Sequence, residues 1–212
     1  MKLHGYWRSS AAYRVRIALN LKGVQVEHCP VHLVNNGGEQ HSAAYQLLNP
    51  SELVPTLEDG ELSLNQSLAI IQYLEDSYPQ TPLYPKDPAQ KAAVMAFALD
   101  IACDIHPLNN LRVLQYLTGP LALSEVQKMQ WIQHWLALGF SALESRLQQT
   151  ARRYCFGDQV TVADLCLVPQ VYNALRFQLD MTNYPQISAI YQRCNEVEAF
   201  AKAAPERQVD AV

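Results

Sequence analysis

The sequence has few cysteines, and no two of them are spaced as the C-x-x-C pair that a zinc site or a redox motif would need. Its five cysteines are odd in number and scattered over 212 residues, which predicts reduced and mostly buried thiols rather than a disulfide scaffold. His28 and His32 share one face of a predicted strand, but no acidic or thiolate side chain at ligand spacing completes a set. We therefore expect no bound metal.

Positive charge and long apolar runs are also scarce. A formal net charge of -4 and a pI near 5.8 argue against nucleic acid as the main partner. The longest apolar run, Ala92 to Leu99, is too short to span a membrane, and no basic and apolar leader opens the chain. We expect a cytoplasmic protein of one or two domains that binds neither membrane nor nucleic acid.

The chain divides into two halves of different character. Up to about Tyr78 strands alternate with helices, and Asp59-Gly60 predicts a hairpin turn. Four prolines between Pro79 and Pro88 then indicate an ordered linker, after which apolar residues recur only at helical spacing. Strands are predicted over residues 2–7, 25–32, 56–58 and 62–64. The predicted domains are residues 1–80, a linker over 81–88, and an all-helical domain over 89–212.

The junction between the first strand and the first helix carries a serine pair. Ser9 or Ser10 is expected at the helix N-cap, where free N–H groups and the helix dipole favour an anion. For an isolated pair, the usual role is capping alone.

Two further junctions favour a binding role for this half of the chain. Pro55 enters the start of a strand, which suggests a special bend or a cis peptide that leaves the backbone of Val54 free to pair with an extended peptide. Gln66-Ser67 precedes a second amphipathic helix, with Ser67 as the expected N-cap and a site suited to a carboxylate.

In this order, the three features resemble the glutathione-binding half of the cytosolic glutathione transferases, and the resemblance covers nearly the whole chain. Ser9-Ser10 followed by Tyr13 to Leu19 resembles the motif of the zeta class, which includes maleylacetoacetate and maleylpyruvate isomerases. The resemblance implies an α/β thioredoxin-like N-terminal domain, an all-α C-terminal domain, a homodimer and glutathione as cosubstrate. The class commonly has cysteine where this chain has Ala11, so chemistry that needs a protein thiol there is in doubt.

By position, the resemblance implies that Ser9 faces the glutathione sulfur, with Ser10 beside it. Arg8 is the third expected catalytic residue, because a guanidinium next to the serines can pair with a substrate carboxylate and with the enolate charge that grows after addition. The residues that it implies for glutathione binding are Gln40, Val54, Pro55, Gln66, Ser67, His106 and Asn110. The candidates for the carboxylates of a substrate are Arg8, Arg112 and Arg176. His106 precedes a proline in a long helical pattern, so it fits equally well a histidine that only satisfies a helix kink. Arg14 and Arg16 are expected to form surface or dimer-interface ion pairs.

Thiolate chemistry explains why such a site would isomerise a double bond. Addition of a nucleophile to a conjugated C=C bond allows rotation, and its expulsion then gives the trans product. Lowering a thiol pKa by about two units needs roughly 2.7 kcal/mol, which a helix N-terminus and a hydroxyl hydrogen bond supply together. We expect isomerisation of maleylacetoacetate to fumarylacetoacetate in aromatic catabolism, although Cys103 to Pro107 and Arg112 resemble maleylpyruvate isomerases. The alternatives from other classes are a general glutathione transferase and a non-catalytic binding protein.

Overall fold

The computed structural model describes all residues from 1 to 212 and separates into two compact units. The first unit contains Met1–Pro82 together with Glu196–Val212, and the second contains Leu83–Asn195. The C-terminal residues were expected in the helical domain, but they pack in the first unit instead. Side chains of the first helix hold them there, because Arg16 Nε donates to the carbonyl of Ala203 at 3.0 Å and Asn20 Nδ2 donates to that of Ala199 at 2.9 Å.

The first unit is built on a four-stranded mixed sheet with strand order β2-β1-β3-β4. β1 pairs with β2 in parallel and with β3 antiparallel, and β3 and β4 form an antiparallel hairpin. The strands are β1 (Lys2–Gly5), β2 (Glu27–Pro30), β3 (Thr56–Asp59) and β4 (Leu62–Asn65). The helices are α1 (Ser10–Lys22), α2 (Ala43–Leu48), α3 (Ser67–Ser77) and, after the second unit, α9 (Glu198–Ala203).

Local chemistry sets the boundaries of these elements. Ser9 is the N-cap of α1, as predicted, and Gly23 ends the helix in the left-handed conformation at φ 67°. The hairpin turn between β3 and β4 consists of Gly60, at φ 59°, and Glu61, one residue later than predicted. α1 packs against both α3 and α9, and Val15, Ala18 and Leu19 of its predicted apolar face are buried.

The second unit contains helices only, as predicted. They are α4 (Pro88–Leu99), α5 (Leu111–Thr118), α6 (Glu125–Thr150), α7 (Val162–Arg176) and α8 (Pro185–Asn195). The predicted kink before Pro107 is present: a π-helical turn over Asp100–Ile105 and a 3-10 turn over His106–Asn109 separate α4 from α5. Gly139 on α6 packs directly against Ile105, where a methyl group would clash with the isoleucine side chain.

Both predicted capping boxes are confirmed in this unit. Ser124 and Gln127 close the start of α6, and Thr161 and Asp164 close the start of α7. Asp164 is completely buried and accepts hydrogen bonds from the N–H groups of Cys155 and Thr161, both at 2.8 Å. Burial raises the pKa of this carboxyl, and the hydrogen bonds oppose that rise.

One stretch of the second unit, Pro88–Thr118, is long and apolar enough to cross a membrane by length and composition alone, with a mean hydropathy of 1.2. It is not one continuous α-helix, because the π and 3-10 turns interrupt it. Helices in the core of non-membrane proteins share such a composition, so this stretch is weak evidence for a membrane span.

Candidate functional site

The strand register brings the three predicted junctions of the first unit to one edge of its sheet. His4 near the end of β1 pairs with Thr56 at the start of β3, and Thr56 pairs with Asn65 at the end of β4. The β1–α1 loop, the segment before β3 and the start of α3 therefore all leave the sheet from this edge. The helix starts of α1 and α3 and the free backbone before β3 form one candidate site.

At the start of α1, the Ser9 hydroxyl is both a cap and a donor. Ser9 Oγ accepts a hydrogen bond from the N–H of Ala12 at 3.2 Å, which leaves its O–H hydrogen available for an anion in front of the helix. Ser9 is half-buried and Ser10 is buried in the first turn. The position after the pair, Ala11, carries no thiol.

Arg8 supplies an exposed positive charge directly before this cap. Its guanidinium lies over the ring of Trp7, 4.8 Å from the centroid, and donates to the hydroxyl of Tyr6 at 3.1 Å. Stacking on an aromatic ring orients the guanidinium while its remaining N–H groups stay free for a carboxylate. The geometry therefore suits the predicted role of Arg8 toward an anionic group.

The start of α3 differs from the prediction in which residue caps it. Gln66, and not Ser67, is the N-cap, with φ 67° and no side-chain capping bond. The first N–H groups of α3 are thus left without a side-chain acceptor from the cap, which suits a bound carboxylate. Ser67 is the first helical residue and is buried.

A buried arginine connects the two helix starts. Arg14 of α1 is 2% exposed, and its Nη1 donates to Ser67 Oγ at 3.2 Å. The expectation of a surface or dimer-interface ion pair is wrong for Arg14, and also for Arg16, which is 5% exposed. Both cations point inward, where Arg14 donates one hydrogen bond to the Ser67 hydroxyl and Arg16 donates to the backbone carbonyls of Ala203 and Trp7.

The segment before β3 presents free backbone, as predicted. The Val54–Pro55 peptide bond is cis, and the N–H and C=O groups of Val54 make no hydrogen bond within the chain. The neighbouring carbonyl of Leu53 accepts from the Tyr45 hydroxyl at 2.7 Å and from Asn49 Nδ2 at 2.8 Å. These two side chains of the α2 region fix the segment, so an extended peptide meets a rigid partner at Val54.

Gln40 lies in a 3-10 turn (Glu39–His41) of the same unit. Its amide is buried, with Nε2 2.9 Å from His41 Nε2 and with Oε1 making no hydrogen bond. A buried amide oxygen without a partner is rare in folded proteins and fits a missing donor. An amide group, a free backbone segment and two helix N-termini match the groups of glutathione: a peptide backbone, two carboxylates and a thiol.

The other predicted residues lie in the second unit. His106 begins the 3-10 turn after the π-helical turn, and that turn is held by Trp131 Nε1, which donates to the carbonyl of Leu108 at 2.7 Å. Asn110 caps α5, since its Oδ1 accepts from the N–H of Arg112 at 3.2 Å. The side chain of Arg112 is exposed in the first turn of α5.

Arg176 is tied to the His106 turn by a chain of amide groups. Its Nη2 donates to Asn173 Oδ1 at 3.0 Å, and Asn173 Nδ2 donates to Asn109 Oδ1 at 2.8 Å. Asn109 Nδ2 then donates to the carbonyl of Ile105 at 3.0 Å. The guanidinium of Arg176 also lies 4.2 Å from the centroid of the Phe177 ring. This exposed cation is thus oriented from two sides.

Comparison with known proteins identifies the family. Residues 3–82 match the family model of the glutathione S-transferase N-terminal domain, and residues 136–198 match that of its C-terminal domain. The chain belongs to the glutathione S-transferase family. The first unit therefore has the thioredoxin-like fold that precedes the helical domain in this family, and glutathione is the cosubstrate.

Individual relatives place the chain in the zeta class of this family. The chain is 57% identical to a probable maleylacetoacetate isomerase of Vibrio cholerae serotype O1, over 99% of this chain and 97% of the relative. A bacterial maleylpyruvate isomerase of the zeta class has 45% identity and a TM-score of 0.97, with full coverage of both chains. A maleylacetoacetate isomerase of Methylobacterium extorquens AM1, solved with malonate and glutathione, has 38% identity and a TM-score of 0.95, with full coverage of both chains.

The sequence reasoning missed several residues that contact the predicted site residues within each unit. In the first unit, Arg14 donates to Ser67 and Asn49 donates to the carbonyl of Leu53. In the second unit, Asn173 links Arg176 to Asn109. The available signal was a polar residue within an apolar pattern, as for Arg14 among the buried residues of α1. That signal indicates that Arg14 is buried but does not identify its hydrogen-bond partner. Only the structure shows that the partner is Ser67.

Proposed function

We propose that this glutathione transferase is a glutathione-dependent cis–trans isomerase of a maleyl-type dicarboxylate, with maleylacetoacetate as its substrate and fumarylacetoacetate as its product. The observation that carries the proposal is the Ser9 cap of α1 with the exposed, stacked Arg8 directly before it. The similarity to isomerases that are named for maleyl substrates supports the same reading. The proposal places the protein in aromatic catabolism.

Each proposed catalytic residue has a distinct role in the reaction. Bound glutathione supplies a thiolate, the nucleophile that adds to the double bond and is expelled after rotation. Ser9 donates its O–H to the sulfur anion, and the N-terminus of α1 adds its dipole. Ser10 supports this turn from its buried position, and Arg8 binds a substrate carboxylate and stabilises the negative charge that grows during addition.

The remaining binding residues hold the tripeptide and the substrate. The backbone of Val54, in its cis bond to Pro55, pairs with the glutathione backbone, Gln66 and Ser67 bind the γ-glutamyl carboxylate, and Gln40 binds a terminal group. In the second unit, we assign glutathione contacts to His106 and Asn110. Arg112 and Arg176 bind substrate carboxylates. Local cations are needed for this because the chain as a whole is acidic.

A general transferase is the second candidate, because the same thiolate conjugates electrophiles. Exposed arginines at 112 and 176 favour a charged substrate over the apolar electrophiles that such an enzyme prefers. Maleylpyruvate is the second candidate substrate within the isomerase class, and Arg112 at the start of α5 favours it. We also propose that the protein is a soluble, cytoplasmic homodimer.

The test follows the loss of ultraviolet absorbance of maleylacetoacetate and of maleylpyruvate, with and without glutathione. It uses the wild type, Arg112→Ser and, as a control with the same loss of charge, Arg152→Ser at another exposed site of the second unit. We expect rapid turnover that needs glutathione and a KM for the substrate that rises about tenfold in Arg112→Ser only. Brisk conjugation of an aryl halide without turnover of either maleyl compound would show a general transferase instead.

A further inference from the structure

The loop that precedes Ser9 is held by one side chain of α1 and by one side chain of the C-terminal segment. The N–H of Trp7 donates to Asp210 Oδ2 at 2.9 Å. The carbonyls of Tyr6 and Trp7 accept from Arg16, at 3.4 Å from Nη1 and 3.0 Å from Nη2. The N–H of Ser9 itself returns to the carbonyl of Tyr6 at 2.9 Å. The direction of the Ser9 hydroxyl therefore depends on how this loop is held.

Arg16 and Asp210 act on the loop as a pair of opposite charges. Burial is the largest influence on Arg16 and lowers its pKa to about 10, whereas Tyr13 and Asp210 raise it. At neutral pH the guanidinium is thus charged and donates to backbone carbonyls on both sides. The carboxylate of Asp210 complements it by accepting the one N–H between those carbonyls.

We propose that Asp210 is a positioning residue for the glutathione thiolate, acting through the Trp7 N–H and the β1–α1 loop on the Ser9 hydroxyl. The proposal rests on the proposed function for its catalytic part. It goes further by assigning a role in the reaction to the C-terminal segment, which contains none of the residues proposed to bind glutathione or the substrate. A hydroxyl that moves by about 1 Å stabilises a reacting atom much less. A small displacement of this loop is therefore enough to slow the reaction.

The C-terminal segment has contacts with α1 that do not involve Asp210, because the carbonyls of Ala203 and Ala199 accept from Arg16 and Asn20. Within the segment, Gln208 Nε2 donates to the carbonyls of Lys202 and Ala204, at 3.1 and 2.9 Å. Removing the carboxylate of Asp210 should therefore loosen the loop at Trp7 and leave the segment anchored. The carboxylate also lines a cavity of about 220 Å³ that Trp7 and His28 border, so a small anion can reach the vacated position.

The experiment compares Asp210→Ala, Asp210→Asn and the exposed-turn control Glu61→Ala, which removes the same charge from the same unit. The pKa of the bound glutathione thiol is titrated by its thiolate absorbance, and amide exchange is measured for the peptide that contains Trp7. In Asp210→Ala we expect a thiol pKa about one unit higher, kcat about tenfold lower, faster exchange at Trp7, and a KM for glutathione changed by less than about threefold.

The other variants separate hydrogen bonding from charge and from simple anchoring. Asp210→Asn keeps an oxygen that accepts from Trp7 N–H, so it should stay within about threefold of the wild type. Formate should restore Asp210→Ala through the cavity and should not change Glu61→Ala. Gln208→Ala loosens the segment but keeps the carboxylate, so its thiol pKa should match the wild type.

A wild-type thiol pKa and wild-type exchange at Trp7 in Asp210→Ala would overturn the proposal. So would an equal shift in Gln208→Ala, because that result would show a merely structural segment. Thiol pKa and amide exchange need no turnover. If the wild type binds glutathione but isomerises neither maleyl compound, the proposed function fails while these two measurements still decide the role of Asp210.

Discussion

Two helix starts of the second unit, those of α6 and α7, are closed by capping boxes, whereas those of α1 and α3 in the first unit are not. In the second unit, α6 and α7 begin with complete capping boxes, in which side chains of the helix itself occupy the free N–H groups. In the first unit, α3 begins at Gln66 with no side-chain cap, and α1 begins at Ser9 with one bond from the side chain. A helix N-terminus is available to a ligand only where the chain has left its donors unpaired.

The closed start of α7 should produce the largest effect, and the effect should be on stability. Asp164→Ala leaves the buried N–H groups of Cys155 and Thr161 without an acceptor, so we expect a loss of about 3 kcal/mol in the free energy of unfolding. Urea titration measures this loss. Ser124→Ala, at the exposed box of α6, is the matched control and should cost about 1 kcal/mol. Equal costs would mean that burial does not distinguish the two boxes.

The half-open start of α1 should affect chemistry more than stability. Ser9→Ala removes a hydrogen bond to a charged sulfur, worth about 1.5–3 kcal/mol, so the pKa of bound glutathione should rise by about one to two units. The maximal rate at neutral pH should fall about tenfold or more, and activity should recover partly as pH rises toward the new pKa. Ser63→Ala, in exposed strand β4, is the control. An unchanged thiol pKa would contradict the assignment of Ser9.

Closing the open start of α3 tests the comparison directly. Gln66→Asp places a carboxylate where it can accept the free N–H groups, so it should compete with the γ-glutamyl carboxylate and raise the KM for glutathione about tenfold. Gln66→Asn has the same shape without the charge and should raise it less. Steady-state kinetics at saturating substrate separate the two, and kcat should change in neither variant. A KM for Gln66→Asp equal to that of Gln66→Asn would show that this end binds no anion.

Removing the hydroxyl that Arg14 holds should give the smallest effect. Ser67→Ala takes away one hydrogen-bonding group and the acceptor of Arg14 Nη1, and we expect a KM for glutathione about fivefold higher with kcat unchanged. Titration calorimetry with a non-reactive S-alkyl glutathione would measure the same change in affinity. A fall in kcat with unchanged affinity would show that Ser67 acts in catalysis rather than in glutathione binding.

Sequence reasoning succeeded where the chemistry is local. The Ser9 cap, the cis peptide at Pro55, both capping boxes and the kink before Pro107 depend on residues a few positions apart. Such features follow from the hydrogen-bonding capacity and backbone limits of single residues.

It failed where a partner is distant in the chain. Arg14 and Arg16 are buried, and oxygens of Ser67, Trp7 and Ala203 accept hydrogen bonds from them. No local sequence pattern near either arginine indicates those partners. The packing of residues 196–212 in the first unit was missed for the same reason. Gln66 was missed as the N-cap because serine is the better intrinsic cap, so Ser67 was preferred. The positive φ of Gln66 is a backbone conformation that the sequence does not indicate.

The bond from Arg14 to Ser67 fixes the start of α3 relative to α1. On the proposed assignments, α1 thus carries at its start the hydroxyl that faces the sulfur and contacts, from its second turn, the residue that binds the γ-glutamyl carboxylate. The distance between these two proposed contacts is then set in the core of the first unit rather than by its surface loops. An attempt to adapt the site to a shorter or longer thiol cofactor should begin by redesigning position 14 and its partner together.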